Sequence, residues 1–279
     1  MTAACAVLQR NRAVHPIGGR FEAADLQWWW RTPRTTDDVD QLIWYDDHGP
    51  VAAAYLTDWT DSVGLDVLLP VDASSEAYAM VLDTGLHHAA SLGIDRVDFE
   101  VARSDHAVSE LLSERGFAVA ESGLVECWIR ADDRPPVTEL GDGYHLFDRS
   151  STRSQPSHWL RRNGPDVERR LSETTLYRDD LDLVVLDDHD DHVGYGLFWH
   201  DPTTSTGLVE PMRTEDDHQR RGIARHVLTA GLDRLARVGS RRIKICFEAG
   251  NTAARNLYLD VGFTPAVHTD IWAGPTATV

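Results

Sequence analysis

The sequence predicts an α/β fold of the α+β kind, built from two copies of one module in which helices flank a sheet. Segments such as Gly207–Thr214 alternate apolar and polar residues, as half-buried strands do, whereas the apolar residues after Gly222 recur every three or four positions, as in an amphipathic helix. The third observation is a repeat, because Val81–Leu86 and Val227–Leu232 match at an offset of 146 residues. Strands and helices that recur in the same order indicate a duplicated module.

The same offset continues over some 35 residues without a gap. It pairs residues of the same kind along both copies: Gly93 with Gly239, Arg96 with Arg242, Asp105 with Asn251, Leu111 with Leu257, Gly116 with Gly262 and Phe117 with Phe263. A polar, proline-bearing linker, Ala131–Pro136, separates the copies. We therefore expect one module over residues 1–135 and a second over residues 136–279.

In the first copy, the first fifteen residues show no clear period and are expected to be a loose lead-in. The tryptophans Trp28–Trp30 could form a stacking platform, but burial is the expected use of such large apolar surfaces. The strands and helices that follow are predicted, in chain order, at Gln41–Tyr45, Val51–Thr57, Val63–Leu69, Ser75–Leu92 (helix), Arg96–Val101 and Ala107–Arg115 (helix).

The second copy repeats this order. Its predicted elements before Gly207 are Tyr144–Phe147, a helical region around His158–Leu171, and a hairpin of Leu181–Leu186 with Val193–His200. Arg241–Glu248 is the strand after the helix. The run Asp187–His192 has the composition of a metal cluster, but it lies where the hairpin must turn. We therefore interpret it as a solvated acidic turn and expect no metal site.

Composition excludes several classes of function. The net charge is −18, which disfavours nucleic acid, a ligand held by cationic contacts to phosphate. No run approaches the ~20 apolar residues of a membrane span, and no secretory signal is visible at the N-terminus. The three cysteines, Cys5, Cys127 and Cys246, are far apart, so neither a disulfide framework nor a zinc site is indicated and a cytoplasmic location is expected. The acidic charge suits an amine-bearing substrate or general solubility.

A turn of small residues marks the candidate ligand site. Gly222 and Ala224 lie where the strand Gly207–Thr214 gives way to a helix. The first N–H groups of a helix have no partner within the helix, and a glycine lets an anion approach them, so this turn is suited to a phosphate. Arg220, Arg221 and Arg225 add positive charge nearby.

Two motifs in this region resemble those of the GNAT superfamily of acyl-CoA-dependent N-acyltransferases. The first is Q-x-x-G-x-A at Gln219–Ala224, and the second is N-x-x-A-x-x-L-Y-x-x-x-G-F at Asn251–Phe263. The resemblance is strongest over about 70 residues, from Gly207 to Trp272. It implies a mostly antiparallel mixed sheet whose fourth and fifth strands part, acetyl-CoA as the acyl donor, and no metal. In its tandem layout the chain is also similar to the mycothiol synthases, in which the C-terminal module is the active one.

The resemblance also implies roles for particular residues. The pantetheine arm would pair with the fourth strand, and the pyrophosphate would bind the following turn. The implied donor-binding residues are Met212, Arg213, Thr214, Gln219, Arg220, Arg221, Gly222, Ile223, Ala224, Asn251 and Ala254. Tyr258 matches the tyrosine that protonates the departing thiolate. Glu210 is the candidate base, with a structural role in the strand as the alternative, and His200 and Asp201 are possible substrate contacts.

The two copies differ in the residues that carry this chemistry. At the offset of 146, Gly222 corresponds to Glu76, whose carboxylate would repel a pyrophosphate, and Tyr258 corresponds to Leu112. The first copy is therefore expected to keep the hydrophobic skeleton without an acyl-CoA site. It would occupy the place of a dimer partner and leave a monomer.

Three functions stay open. The first is transfer of an acetyl group from acetyl-CoA to a primary amine of a small molecule or peptide, in the C-terminal module. The second is a non-catalytic acyl-CoA-binding regulatory protein, and the third is an interaction protein that binds no CoA. Intact Gly222 and Asn251 disfavour the third. The identity of the acceptor does not follow from the sequence.

Overall fold

The computed structural model describes residues 1–277, which contain eight α-helices and eleven strands. The helices are α1 (Thr2–Val14), α2 (Ala23–Trp30), α3 (Ser75–Ser91), α4 (His106–Glu114), α5 (His158–Asn163), α6 (Pro165–Glu173), α7 (Ile223–Arg237) and α8 (Thr252–Val261). The strands are β1 (Leu42–Asp46), β2 (Gly49–Asp58), β3 (Val63–Leu68), β4 (Arg96–Ala102), β5 (Ala118–Arg130), β6 (Tyr144–Asp148), β7 (Asp182–Asp187), β8 (His192–Asp201), β9 (Thr206–Thr214), β10 (Arg242–Glu248) and β11 (Thr264–Pro275). The predicted α/β class is confirmed.

The chain forms two compact units, and neither is one continuous segment. The first unit comprises residues 1–23, 33–125 and the residues from 267 onward, and the second comprises residues 24–32 and 126–266. Most of helix α2 and the end of β5 thus belong to the second unit, while most of β11 belongs to the first. The predicted boundary between residues 135 and 136 separates the two sequence copies. The boundaries of the compact units lie elsewhere, after residues 23, 32, 125 and 266.

In the first unit the strand order is β1-β2-β3-β4-β11-β5. The β1–β2 and β2–β3 pairs are antiparallel, as is β4 with the C-terminal strand β11. Helix α3 covers this sheet with an apolar face because Val81, Leu82 and Leu86 are all buried against the strands. These are the residues whose three- and four-residue spacing predicted the helix.

In the second unit the strand order is β5-β10-β9-β8-β7-β6. Strands β6 to β9 form an antiparallel meander, and β9 and β10 are parallel. Helix α7 packs on β8 so closely that a Cβ atom on Gly231 would lie 2.0 Å from the ring of Phe198. The mixed, mostly antiparallel sheet implied by the resemblance is confirmed.

The N-terminal segment differs from the prediction of a loose lead-in, which is wrong. Residues 2–14 form helix α1, whose buried face includes Ala4, Val7 and Leu8. The helical spacing of apolar residues is obscured because the charged residue Arg12 is also buried. Arg12 forms an ion pair with Glu22 and donates to the carbonyl of Gly18 at 2.9 Å. A buried arginine at an apolar position breaks the period by which a helix is identified from sequence.

Burial is confirmed for the first of the three tryptophans. Trp28 is buried and meets the ring of Trp159 edge-on, with the centroids 5.4 Å apart. Trp29 and Trp30 are half-buried, and Arg170 lies over the ring of Trp30. This segment is therefore a packing element of the second unit.

The acidic run at residues 187–192 forms the predicted hairpin turn between β7 and β8. The Oδ1 atom of Asp187 accepts hydrogen bonds from the backbone N–H groups of His189 and Asp191, at 2.9 and 3.0 Å. Over residues 1–277, no group of three or more His, Cys, Asp or Glu side chains has an arrangement that would hold a metal ion. Within the same residues, no helix has the length and apolar character needed to cross a membrane.

Candidate active site

The centre of the second unit is an opening between two parallel strands. β9 and β10 pair from Thr206 and Arg242 as far as Val209 and Ile245, and the two strands part beyond that pair. The predicted splay is therefore present. Beyond Val209, β10 no longer forms hydrogen bonds with β9. The backbone groups of β9 on that side therefore face the opening.

A bulge in β9 accompanies the splay. Its register with β8 shifts between the pairs Phe198–Val209 and Gly196–Met212, so that β9 has one more residue than its partner there. Pro211 lies in this bulge, as expected for a residue that cannot donate to a ladder. The indole N–H of Trp199 donates to the carbonyl of Glu210 at 2.8 Å and holds the bulged backbone in place.

The turn after β9 leads into helix α7 through left-handed backbone conformations. Arg220 has a φ of +64°, and Gly222, which caps α7, has a φ of +83°. A Cβ atom on Gly222 would meet nothing within 4 Å, so the space in front of this helix end is open. The glycine is needed for its backbone conformation, and the open N-terminus of α7 can accept an anion.

The side chains of this turn hold its shape. Arg221 donates to the hydroxyl of Tyr144 at 2.9 Å and to the carbonyl of Asp217 at 3.1 Å. Gln219 donates to Asp216 at 3.0 Å. Ile223 is buried, so only its backbone N–H can serve a bound ligand. Hydrogen bonds within the turn thus present its N–H groups in a fixed arrangement.

The residues predicted on β9 lie beyond the bulge. Met212 and Thr214 are half-buried, and Arg213 is exposed, where its guanidinium pairs with Glu215 at 3.3 Å. Thr214 is opposite Gly194 of β8 in the ladder. The backbone of these three residues follows the edge of the opening, as the predicted binding of an extended arm requires.

Asn251 has a structural role that the sequence reading did not anticipate. Its Oδ1 atom accepts from the N–H of Ala254 at 3.0 Å and caps helix α8. In the other copy, Asp105 caps α4 in the same way through the N–H of Val108, at 3.1 Å. The cap explains why both copies have a short polar residue at this position. In Asn251 the amide nitrogen remains as a donor that an aspartate does not have.

Tyr258 lies on α8 and is buried, 8% exposed. Burial raises the pKa of its hydroxyl to about 12, and the neighbouring groups Cys246 and Glu210 act in the same direction. The phenol is therefore protonated at neutral pH. A protonated phenol can give its proton to a thiolate.

Glu210 is the first residue of the bulge in β9, and several other ionisable groups lie near it. Burial raises the pKa of its carboxyl group to about 8, and the charge of Asp25 and a hydrogen bond with Asp25 add to that effect. Lys244 on β10 has an ammonium group 3.4 Å from Asp25 and 3.7 Å from Glu126. Sequence reasoning missed Asp25, Glu126 and Lys244. The one signal in the sequence is that Lys244 is the only lysine in the chain.

His200 and Asp201 do not join this site. They pair with Gly207 and Thr206 at the closed end of the β8–β9 hairpin, and both are buried. His200 exchanges a hydrogen bond with Ser240 at 2.8 Å, and Asp201 accepts from the N–H of Thr203 at 2.9 Å. Their polar atoms bond to the hairpin and its neighbours, and the idea that they contact substrate stays a prediction.

Known proteins show the same combination of sequence and fold. Residues 144–263 match the family model described as "Acetyltransferase (GNAT) family". A mycothiol acetyltransferase of Corynebacterium aurimucosum is 28% identical over 173 residues, covering 52% of this chain and 56% of that protein. A mycothiol acetyltransferase of Beutenbergia cavernae is 27% identical over 146 residues, covering 47% of this chain and 49% of that protein. The chain thus matches about half the length of these relatives.

Solved structures share the fold over the whole chain. A tandem GNAT protein from the clavulanic acid biosynthesis pathway aligns with a TM-score of 0.72 and 13% identity, covering all of this chain and 96% of that one. A GCN5-related N-acetyltransferase from Sphaerobacter thermophilus aligns with a TM-score of 0.64 and 16% identity, covering 98% of this chain and 92% of that one. At these identities the likeness concerns the fold.

Proposed function

We propose that the chain is a member of the GNAT superfamily and that it transfers an acetyl group from acetyl-CoA to a primary amine, with the chemistry in its C-terminal module. The observation that carries the proposal is the opening between β9 and β10. It has an anion-binding helix end beside it and the carboxyl group of Glu210 and the hydroxyl of Tyr258 within the same unit.

The donor would bind along the opening. Backbone groups of residues 212–214 would pair with the pantetheine arm, as a strand pairs with a partner. The N–H groups of residues 220–224 would hold the pyrophosphate at the N-terminus of α7, where the helix dipole favours negative charge, while the N–H of Gln219 donates to the carbonyl of Asp216 at 3.3 Å. Asn251 and Ala254 would flank the arm at the start of α8.

The transfer itself needs three proton movements. The acceptor amine must be neutral to attack the thioester carbonyl, so its ammonium proton goes to the carboxylate of Glu210, directly or through a water. The new C–N bond forms as the C–S bond breaks. The electron pair leaves with sulfur, and Tyr258 gives its proton to that thiolate. The second proton that the nitrogen loses as the amide forms restores the Tyr258 phenol. A carboxyl group whose pKa is about 8 suits the first step, because it is a stronger base than an ordinary glutamate.

The first copy is proposed to lack this activity. Helix α3 begins at Ser75, two residues earlier than the offset of 146 from Ile223 predicts, and its cap is Ser74. The hydroxyl of Ser74 accepts from the N–H of Ala77 at 3.2 Å. A first-turn donor that is free at α7 is thus occupied at α3, and Glu76 in the first turn adds a charge that repels anions.

The acceptor is proposed to be a small molecule or a peptide with a primary amine. Both relatives are named mycothiol acetyltransferase, and each is similar to this chain over about half its length. A small aminated metabolite is therefore the first class of acceptor to screen. The competing function is a regulatory protein that binds acyl-CoA without turning it over.

Calorimetric titration with acetyl-CoA and with free CoA tests the proposal. We expect one site per chain, abolished by Gly222→Glu, which places a carboxylate in front of α7. Gly164→Glu is the matched control, because Gly164 also caps a helix with a positive φ and open space around its Cβ position. No binding to the wild-type chain, or equal loss in both variants, would overturn the proposal. Binding with no turnover of any amine would leave the regulatory function.

A further inference from the structure

Three carboxyl groups surround one buried lysine beside the opening in the second unit. Lys244 is 2% exposed, and Asp25 and Glu126 are each 4% exposed. The ammonium nitrogen lies 3.4 Å from Asp25 Oδ2 and 3.7 Å from Glu126 Oε1. Asp25 also hydrogen-bonds to Glu210. The proposed reaction uses Glu210 and leaves the other three groups unexplained.

Charge balance requires a retained proton in this set. Full ionisation would leave three negative charges against the two positive charges of Lys244 and Arg31 in a largely buried region, and uncompensated buried charge is costly. The contact between Asp25 and Glu210 leads to the same conclusion, since two carboxylates repel each other and can hydrogen-bond only when one carries a proton. At least one carboxyl group is therefore neutral in the resting protein.

The lysine decides which group holds the proton. Its ammonium pairs with Asp25 and Glu126 and so supplies the counter-charge for these two carboxyl groups. Glu210 is left as the group that carries the proton and donates it to the Asp25 carboxylate, in agreement with the raised pKa of about 8 for Glu210.

Three other ionisable groups are neighbours of Glu210 or of the groups around it. Arg31, which follows α2, acts on Glu210 in the same direction as Lys244 and lowers its pKa. Cys246 on β10 and Tyr258 on α8 are both buried with pKa values raised above their ordinary values, so both are neutral near pH 7. Asp25 is the one neighbour whose charge and hydrogen bond both favour the protonated form of Glu210.

We propose that Asp25 is a positioning residue for acetyl transfer, whose carboxylate, anchored by Lys244, orients the carboxyl group of Glu210 and controls its readiness to take a proton from the acceptor. This inference rests on the proposed function of the same site. It also assigns a role to helix α2. This helix is far from the two motifs in sequence, but most of it belongs to the second unit, and it brings the carboxylate of Asp25 to Glu210, the proposed general base.

The pH dependence of the reaction follows from this arrangement. Glu210 works as a base only when deprotonated, so kcat/KM should rise with pH to a plateau, with a midpoint near pH 8. Asp25→Asn removes the negative charge that favours the protonated form. The midpoint should then move at least one pH unit lower, and the plateau should fall about tenfold or more, because a carboxylate of lower pKa is a weaker base.

Two measurements test the proposal on the full-length chain. The first is the pH profile of kcat/KM for wild type and Asp25→Asn, with Asp166→Asn as a control that makes the same chemical change on an exposed surface. The second is a ¹³C NMR titration of the glutamate carboxyl carbons, with the Glu210 signal assigned by its loss in Glu210→Gln. A midpoint for Glu210 that is the same in wild type and Asp25→Asn would overturn the proposal.

A fourth variant protects the test against misfolding. Lys244→Met removes a charge that lowers the pKa of Glu210, so the midpoint should move to higher pH, opposite to the effect of Asp25→Asn. A purely structural role would give a loss of activity without a shift in either direction, and that result would also overturn the proposal.

The NMR titration needs no turnover, and this separates the two ideas. If no amine is acetylated while the Glu210 midpoint shifts as expected, the carboxyl pair stands and the proposed reaction fails. If amines are acetylated and the Glu210 midpoint stays fixed, the proposed reaction stands and the role of Asp25 fails.

Discussion

At the scale of single residues, the features that matter most are buried groups whose protonation is set by their surroundings. Tyr258 keeps its proton because burial disfavours the phenolate, and Glu210 keeps its proton because of burial and Asp25. The sequence motif was sufficient to select Tyr258. It could not select Asp25, because no periodicity connects residue 25 with residue 210 and only the folded chain brings them together.

Replacing Tyr258 with phenylalanine tests its role as an acid. The change removes one oxygen from a buried ring, so binding of acetyl-CoA should be unaffected. We expect kcat to fall by about 10²–10³, the usual contribution of a positioned acid. Steady-state kinetics and calorimetry measure the two quantities, and Tyr45→Phe, at an exposed tyrosine, is the control. An unchanged kcat would show that the thiolate leaves without help from this residue.

A second residue-scale prediction concerns Asp182, which is fully buried. It accepts hydrogen bonds from the indole of Trp159 and the hydroxyl of Tyr177, both at 2.7 Å. Burial raises the pKa of Asp182 to about 7. The folded state thus holds this proton more tightly than the unfolded state, and the resulting stabilisation is complete below about pH 4 and lost as pH rises to about 7.

Thermal melting at several pH values measures this effect. Asp182→Asn keeps an acceptor oxygen and cannot ionise, so the fall in Tm between pH 5.5 and 7.5 should be smaller than in wild type. His158, whose pKa burial lowers to about 3, acts in the opposite direction below pH 6.5 and remains in both proteins. Asp188→Asn, on the exposed hairpin turn, should leave the wild-type slope unchanged. An identical slope in all three proteins would contradict the assignment.

At the scale of elements, most of what the structure contains could be predicted from periodicity and turn residues. The strands of both hairpins and helices α3, α4 and α7 lie within a few residues of the predicted positions. Helix α1 was missed because a buried Arg12 takes an apolar position, and the pairing that makes this tolerable involves Glu22 in the following loop. This ion pair forms only in the folded chain, so the spacing of apolar residues in the sequence does not reveal it.

The two copies offer a matched test of helix packing. Gly231 on α7 and Gly85 on α3 are related by the offset of 146. A Cβ on Gly231 would lie 2.0 Å from Phe198, whereas a Cβ on Gly85 would lie 3.1 Å from Ala54. Alanine gains roughly 1 kcal/mol of helix propensity at either site. We expect Gly231→Ala to destabilise by about 1–3 kcal/mol net through overpacking, and Gly85→Ala to be closer to neutral. Urea denaturation measures both, and equal effects would contradict the packing argument.

At the scale of the whole molecule, the repeat in the sequence predicted two modules but not how chain segments are distributed between the compact units. The second unit takes residues 24–32 from the first copy, and the first unit takes the residues from 267 onward. This exchange depends on which surfaces pack together in the folded protein. The offset of 146 relates the copies to each other and says nothing about which copy's segments each unit contains.

The exchange predicts how fragments behave. A fragment of residues 136–279 lacks Asp25 and the end of β5, so we expect it to be poorly folded and unable to acetylate amines. Circular dichroism and a thiol-release assay measure the two properties. Co-expression of residues 1–135 with residues 136–279 is the control, because it supplies every segment of the second unit. An active, cooperatively melting fragment 136–279 would contradict the role given to residues 24–32.

The position of β11 has a consequence for synthesis on the ribosome. In the first unit β11 lies between β4 and β5, although it is translated more than a hundred residues after both. Until it emerges, the nascent chain exposes two strand edges that face each other across a gap, and exposed edges are prone to pair with other chains. The first unit is therefore completed only after the second has been translated, and its open strand edges are exposed to mispairing throughout that interval.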